Sequence, residues 1–134
     1  MNLRALALCI LMTAVCTSAV AQLSEPTVQK FGKAGQRSFF GDFYAIEPDC
    51  SPVDWTEAKI TQAPEHGVAE LIERYVPISF PENSPRKSCN GRPTRTRTLT
   101  YTPHPDYKGE DTIKVEFLTS VGTLSRTTFQ ISVQ

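Results

Sequence analysis

The chain reads as an all-β sandwich of about seven antiparallel strands, and three observations predict it. Apolar and polar residues alternate with a period of two in several short runs, proline and glycine separate those runs, and helical periodicity is nearly absent. No strand-helix-strand alternation supports an α/β fold. The clearest run lies between Thr98 and Phe117. There Leu99 and Tyr101 stand between threonines, Pro103, Pro105 and Gly109 punctuate a turn, and Ile113, Val115 and Phe117 alternate with Lys114 and Glu116. This pattern predicts a half-buried antiparallel hairpin.

The other elements follow in order. Thr27 to Phe31 is the first predicted strand, closed by a turn from Gly32 to Gly35. Ser38 to Ile46 is aromatic-rich and points to the core. Phe40 with Ala45 and Phe39 with Phe43 keep no single alternation, which predicts a bulge or bend near Gly41. Glu47 to Asp54 is a loop carrying Pro48, Cys50 and Pro52. Trp55 to Gln62 is a strand ended by the turn at Pro64. His66-Gly67 then opens a run with Val68, Glu70 and Ile72 on one parity and Ala69 and Leu71 on the other, so either face can be the inner one. Tyr75 to Phe80 is extended, and Pro77 places it at a sheet edge. Pro81 to Pro93 is a loop tethered by Cys89, and Thr127, Phe129, Ile131 and Val133 mark the last strand. Short strands at this spacing imply two sheets joined by Greek-key connections. Thr94, Thr96, Thr98, Thr100 and Thr102 share one parity, and their β propensity predicts a solvent-facing row. On the opposite face Arg95 and Arg97 lead into Leu99 and Tyr101.

At the N-terminus Arg4 precedes an apolar run from Ala5 to about Ala14, and Ala19-Val20-Ala21 supplies small residues before Gln22. This is the pattern of a secretory signal peptide over residues 1–21, leaving a single domain over 22–134. Cleavage before Cys16, as in a lipoprotein, is the alternative, and Val15 is a poor fit to it. The apolar run is shorter than the roughly 20 residues of a membrane span, and no later segment approaches that length. The expected location is the periplasm or the medium. Losing the leader removes Cys9 and Cys16, so Cys50 and Cys89 are left to pair in an oxidising compartment. Closing a loop of roughly 40 residues restricts the unfolded chain by about 4 kcal/mol. Neither cysteine has the vicinal partner that a redox role needs.

The full chain carries 14 Lys and Arg against 14 Asp and Glu, so no global field draws it to nucleic acid or membrane. The charges are unevenly placed. Arg86, Lys87, Arg92, Arg95 and Arg97 fall within a dozen residues that contain no carboxylate.

Pro64-Glu65-His66-Gly67-Val68, followed by the stretch from Leu99 to Ile113, resembles the bacterial Ig-like, cadherin-like domains. Those domains are tandem modules of large surface and secreted proteins, with a P-x-H-G turn, a Y-T-P strand end and a G-x-D turn. The resemblance runs from about Ala58 to Val133 and implies an Ig-like Greek-key sandwich in a bacterial protein. Gly67 and Gly109 would take positive φ, Tyr101 and Tyr107 would bury their rings while bonding backbone, and Asp111 would accept from turn amides. These are determinants of fold and carry no catalytic role. The chain departs from the family in having one copy, an inserted basic loop and two cysteines, and in lacking an Asn-Asp pair after an early strand.

Catalytic signals are sparse. His66 and His104 are the only histidines and both flank turn residues, which explains them without chemistry. No metal-ligand spacing, nucleophile elbow or cofactor motif is present, and none of these is expected. Asp106, Glu110 and Asp111 form an acidic turn that could begin a calcium site, although side-chain capping of the turn explains it as well. The expectation is therefore a non-enzymatic binding module. The five cations of the disulfide-pinned loop, Arg86, Lys87, Arg92, Arg95 and Arg97, would meet an anionic envelope polymer or an acidic protein. Nucleic acid is not the expected partner, because the loop lacks aromatic residues and the expected compartment is the wrong one. Two alternatives are a structural subunit that pairs through a strand edge, near Pro77 or the N-terminal segment, and a small hydrolase using His66 or His104.

Overall fold

The computed structural model describes residues 25–134, so the predicted signal peptide lies outside the described residues. Seven strands follow one another: β1 (Thr27–Gly32), β2 (Ser38–Phe43), β3 (Trp55–Gln62), β4 (Gly67–Pro77), β5 (Pro93–Pro103), β6 (Gly109–Thr119) and β7 (Leu124–Val133). A single 3-10 turn, Lys87–Cys89, interrupts the long connection before β5. The strands form a four-stranded sheet in the order β1-β7-β6-β3 and a three-stranded sheet in the order β2-β5-β4. The result is an all-β sandwich. Among the described residues no helix is long and apolar enough to cross a membrane.

The period-two runs build the core as expected. Ile113, Val115 and Phe117 of β6 and Phe129, Ile131 and Val133 of β7 face Leu99 and Tyr101 of β5, with Phe40 of β2 completing the cluster. Each such side chain fully buried stabilises the fold by about 1.5–3 kcal/mol. Outside the larger sheet Glu116 bridges Lys59 at 3.1 Å and Arg126 at 2.8 Å, across three strands. Hydrogen bonds from Arg126 and then Lys59 hold its carboxyl below the usual glutamate range. The bulge expected near Gly41 is present as a register shift between Phe39 and Gly41. It turns Phe40 into the core and leaves Phe39 at the surface.

Four expectations are corrected. The strands either side of the Pro103 turn do not form a hairpin, because β5 pairs with β2 and β4 whereas β6 pairs with β3 and β7. The turn carries the chain from one sheet to the other, and alternation alone does not distinguish that arch from a hairpin. Not every pairing is antiparallel, since β1 runs parallel to β7. The extended segment expected from Tyr75 to Phe80 is the end of β4, which lies at the edge of its sheet as Pro77 suggested but stops at that proline rather than at Phe80.

The fourth correction concerns the threonine row, which is not solvent-facing at its centre. Thr96, Thr98 and Thr100 are buried. Two contacts cross over them to β4: Arg37, just before β2, reaches Glu70 at 3.0 Å, and the Arg74 guanidinium lies 4.4 Å from the ring centre of Phe39 in β2. Beneath these, the Thr98 hydroxyl donates to Asp42 at 2.5 Å and the Thr96 hydroxyl to the Arg74 carbonyl at 3.2 Å. The central strand of a three-stranded sheet is covered by its neighbours' long side chains, and the hydroxyls satisfy themselves there.

Candidate functional site

One end of the sandwich is built differently from the other. Here β2, β4 and β6 finish, β3, β5 and β7 begin, and connections 44–54 and 78–92 meet through the Cys50–Cys89 disulfide. Ile46, Ile78 and Cys89 form a second small core, with Tyr44, Cys50 and Phe80 packed against it. Backbone bonds close each connection on itself, the Val53 N–H donating to the Ala45 carbonyl and the Gly91 N–H to the Ile78 carbonyl, both at 2.9 Å, and side chains add to them. The Phe80 N–H donates to Asn90 Oδ1 at 2.7 Å, and Asn90 Nδ2 donates back to the Phe80 carbonyl at 3.1 Å. Asp49 caps its own turn by accepting from the Ser51 N–H at 2.9 Å and hydroxyl at 2.7 Å, and these bonds lower its pKa from the ordinary aspartate value. Cys50 takes a φ of +71° there, a conformation that the turn imposes.

The five cations named from the sequence separate into three groups. Arg86 is structural, its Nε donating to the Ile46 carbonyl at 2.6 Å. Arg95 and Arg97 lie on β5 rather than in the loop and converge on Trp55, with guanidinium carbons 5.1 and 5.7 Å from the indole centre. Glu73 lies 3.1 Å from Arg95 Nε and 3.7 Å from Arg97 Nη2, and Asp54 lies 3.6 Å from Arg95 Nη1. The Arg95 Nε contact has ion-pair rather than hydrogen-bond geometry. Lys87 and Arg92 are exposed on the loop, and Lys87 pairs with the more exposed Glu82.

Beside this loop a groove of about 400 Å³ opens between the sheets, floored by Phe43, Tyr44, Trp55, Phe80 and Phe117 and edged by Thr119, Thr123 and Ser125. Phe43 stacks on Phe117 at 4.1 Å, and Tyr44 meets Phe80 edge-on at 5.8 Å. An adjoining hollow of about 340 Å³ shares Tyr44 and Phe80 and reaches Arg86. The groove was missed in the sequence, where the aromatic density of residues 38–46 reads as core. Its members come from β2, β3, β6, β7 and the 44–54 and 78–92 connections, which only folding brings together. Chemically, this end offers aromatic faces, hydroxyls and two outward cations, Lys87 and Arg92, set among the exposed carboxylates of Glu47, Asp49, Asp54 and Glu82.

The histidines lie at the opposite end. The His66 ring stacks on Tyr107 with centres 3.9 Å apart and planes within 6°. The His66 carbonyl accepts from the His104 N–H at 2.8 Å, so backbone rather than imidazole joins the two. The neighbouring Asp111 is buried and already accepts four hydrogen bonds, from the N–H groups of Glu65, His66 and Thr112 at 2.9, 3.0 and 2.9 Å and from the Tyr101 hydroxyl at 2.7 Å. Burial raises its pKa, but these donors outweigh burial and hold the carboxyl below its ordinary value. Burial first, and then this carboxylate, push the Tyr101 hydroxyl pKa up. The acidic turn thus uses Asp111 to clasp the Pro64–Gly67 turn. Gly109 has the expected positive φ, at +144°, whereas Gly67 does not. What Gly67 supplies is close approach, because a Cβ there would lie 2.5 Å from the Thr102 carbonyl oxygen and from the Tyr101 ring.

Compared with protein-family models, with curated proteins and with solved structures, the chain finds no match.

Proposed function

We propose that the protein is an exported, non-enzymatic binding module in which an immunoglobulin-like sandwich presents the basic segment 81–97, the disulfide-pinned loop and the first residues of β5, to an anionic envelope polymer or an acidic protein. The observation that carries this reading is the division of labour among the loop cations. Arg86, Asn90 and the disulfide lock the base of the loop, while Lys87 and Arg92 stand outward on it. A cation on a locked loop loses little conformational entropy when it meets a carboxylate or phosphate. The aromatic groove alongside gives such a ligand an apolar surface to lie against. Export rests on the leader-like pattern around Arg4 and Ala19-Val20-Ala21, and the disulfide supports it. The strand order, with β5 central in one sheet and β7 and β6 central in the other, supports the immunoglobulin-like reading.

The test is co-sedimentation of the oxidised protein with isolated cell envelopes across a salt series. Lys87→Glu with Arg92→Glu is expected to abolish salt-sensitive pelleting while leaving the melting temperature unchanged. Replacing all five cations would confound the result, because Arg86 holds the Ile46 carbonyl and Arg95 and Arg97 hold Trp55 and Glu73. Undiminished pelleting of the double variant overturns the loop as contact surface.

A further inference from the structure

The outer edge of β4 is long and open. The ladder between β4 and β5 continues past both ends of β4 as a bond from the His104 N–H to the His66 carbonyl, 2.8 Å, and one from the Ile78 N–H to the Arg92 carbonyl, 3.3 Å. Within it the Glu70 and Arg74 carbonyls also accept from threonine hydroxyls of β5, at 3.4 and 3.2 Å. Even-numbered β4 residues therefore turn their backbone groups toward β5, since the groups of a strand alternate between its two sides. The N–H and C=O groups of Ala69, Leu71, Glu73 and Tyr75 point away from the sheet, and among the described residues no strand pairs with them. Val68 is 60% exposed and Tyr75 68% exposed along the same edge. A long unpaired edge of this kind is a template for another strand.

We propose that this edge pairs with the same edge of a second copy of the chain, antiparallel, about a two-fold axis at Ile72. The strand's own sequence selects that partner and that register. Ile72 is the midpoint of Gly67–Pro77, and the outward face on either side of it reads Val68, Glu70, Ile72, Arg74, Val76. Reversed, the same face reads valine, arginine, isoleucine, glutamate, valine. The two-fold places each Glu70 opposite an Arg74, each Val68 opposite a Val76, and Ile72 opposite itself. Sliding two residues either way sets Glu70 against Ile72 or Val76 and leaves the charges unmatched. Sliding one residue faces backbone groups that already serve β5, so the ladder cannot form. In the two-fold register Ala69 with Tyr75, and Leu71 with Glu73, exchange the backbone hydrogen bonds. The even residues form the closer pairs, in which side chains touch. Pro77 lacks an N–H and ends the ladder opposite Gly67 of the second copy. In the single chain Glu70 is 58% exposed and uses one oxygen for Arg37, leaving the other for the second copy's Arg74, which turns to it from Phe39. The product is a continuous six-stranded sheet. Pairing at this edge goes beyond the anionic-ligand reading and stands whether or not that reading does.

Sedimentation equilibrium of the purified oxidised protein is expected to show a concentration-dependent dimer. Glu70→Arg or Arg74→Glu alone weakens it about tenfold or more, and the two together restore it, a rescue that misfolding would not produce. Ile72→Cys sets two thiols across the axis within disulfide reach and is expected to give a covalent dimer under mild oxidation. Val68→Cys alone faces Val76 and gives none, while Val68→Cys with Val76→Cys gives one. The native cysteines are already bonded to each other and take no part. A monomer at every concentration, or cross-linking of Val68→Cys as readily as Ile72→Cys, overturns the proposal.

Discussion

Asp111 is the single residue on which most of the local order converges. Its carboxylate joins the 63–66 turn, the start of β6 and the ring of Tyr101, three segments that are distant in sequence. Replacement by alanine would leave buried donors unpaired, and each costs about 1–3 kcal/mol. Asp111→Ala is therefore expected to lower stability by about 3–5 kcal/mol, read from urea denaturation at neutral pH. The pH dependence has a definite sign. The folded carboxyl has a pKa below the unfolded value of 3.8, so its contribution is complete above that value and is lost as pH falls through the lower folded one. The stability gap between wild type and Asp111→Ala should narrow below about pH 4, and a gap constant down to about pH 2 would contradict this account. The aspartate was recognisable from sequence as an acceptor of turn amides. Two of its donors belong to another turn, and that detail was not recognisable.

Among the elements, β5 shows how far a pattern can mislead. Alternation in residues 98–103 announces a strand with one apolar face, and Leu99 and Tyr101 are indeed buried. The threonine face is buried too, because Arg37, Phe39, Glu70 and Arg74 reach over it from both neighbours. Long amphipathic side chains cover a polar strand when it is central, and centrality is a property of the sheet. The 44–54 and 78–92 connections carry little regular structure and depend on the disulfide and a three-residue core. Cys50→Ser with Cys89→Ser is expected to cost about 2–5 kcal/mol. The far-UV spectrum of the strands should survive at low temperature, while amide exchange accelerates in residues 78–92 rather than in β5 to β7. Equal acceleration throughout would mean that the two cores unfold as one.

For the molecule as a whole, the two ends differ in chemistry rather than in charge, since the 44–54 and 78–92 connections set Glu47, Asp49, Asp54 and Glu82 beside Arg86, Lys87 and Arg92. One end holds Lys87, Arg92, the aromatic groove and the disulfide, and the other holds the His66–Tyr107 stack and the Asp111 clasp. Antiparallel pairing of β4 edges sends the two basic loops to opposite ends of a six-stranded sheet, separated by at least the length of the strand, about 35 Å. A dimer so built bridges two ligand molecules rather than gripping one. With polyglutamate as probe, light scattering is expected to rise on adding the wild-type protein and not on adding monomeric Glu70→Arg. Equal scattering from both would show that binding at the loop does not depend on the dimer.

The local pattern was enough to establish the all-β class, the run of strands, the bulge near Gly41 and the Cys50–Cys89 bond, because a period of two, turn residues and cysteine number are properties of short stretches. Which strands are neighbours was out of reach. A chain leaving Tyr101 through two prolines can return in the same sheet or cross to the other with the same alternation, and the choice follows from packing Ile113 and Phe129 against Leu99. The five cations were visible as a cluster, but their separate roles were not. The carbonyl that holds Arg86 and the indole beneath Arg95 and Arg97 arrive from chain segments about 40 residues away, and contact across that separation exists only once the two sheets have closed.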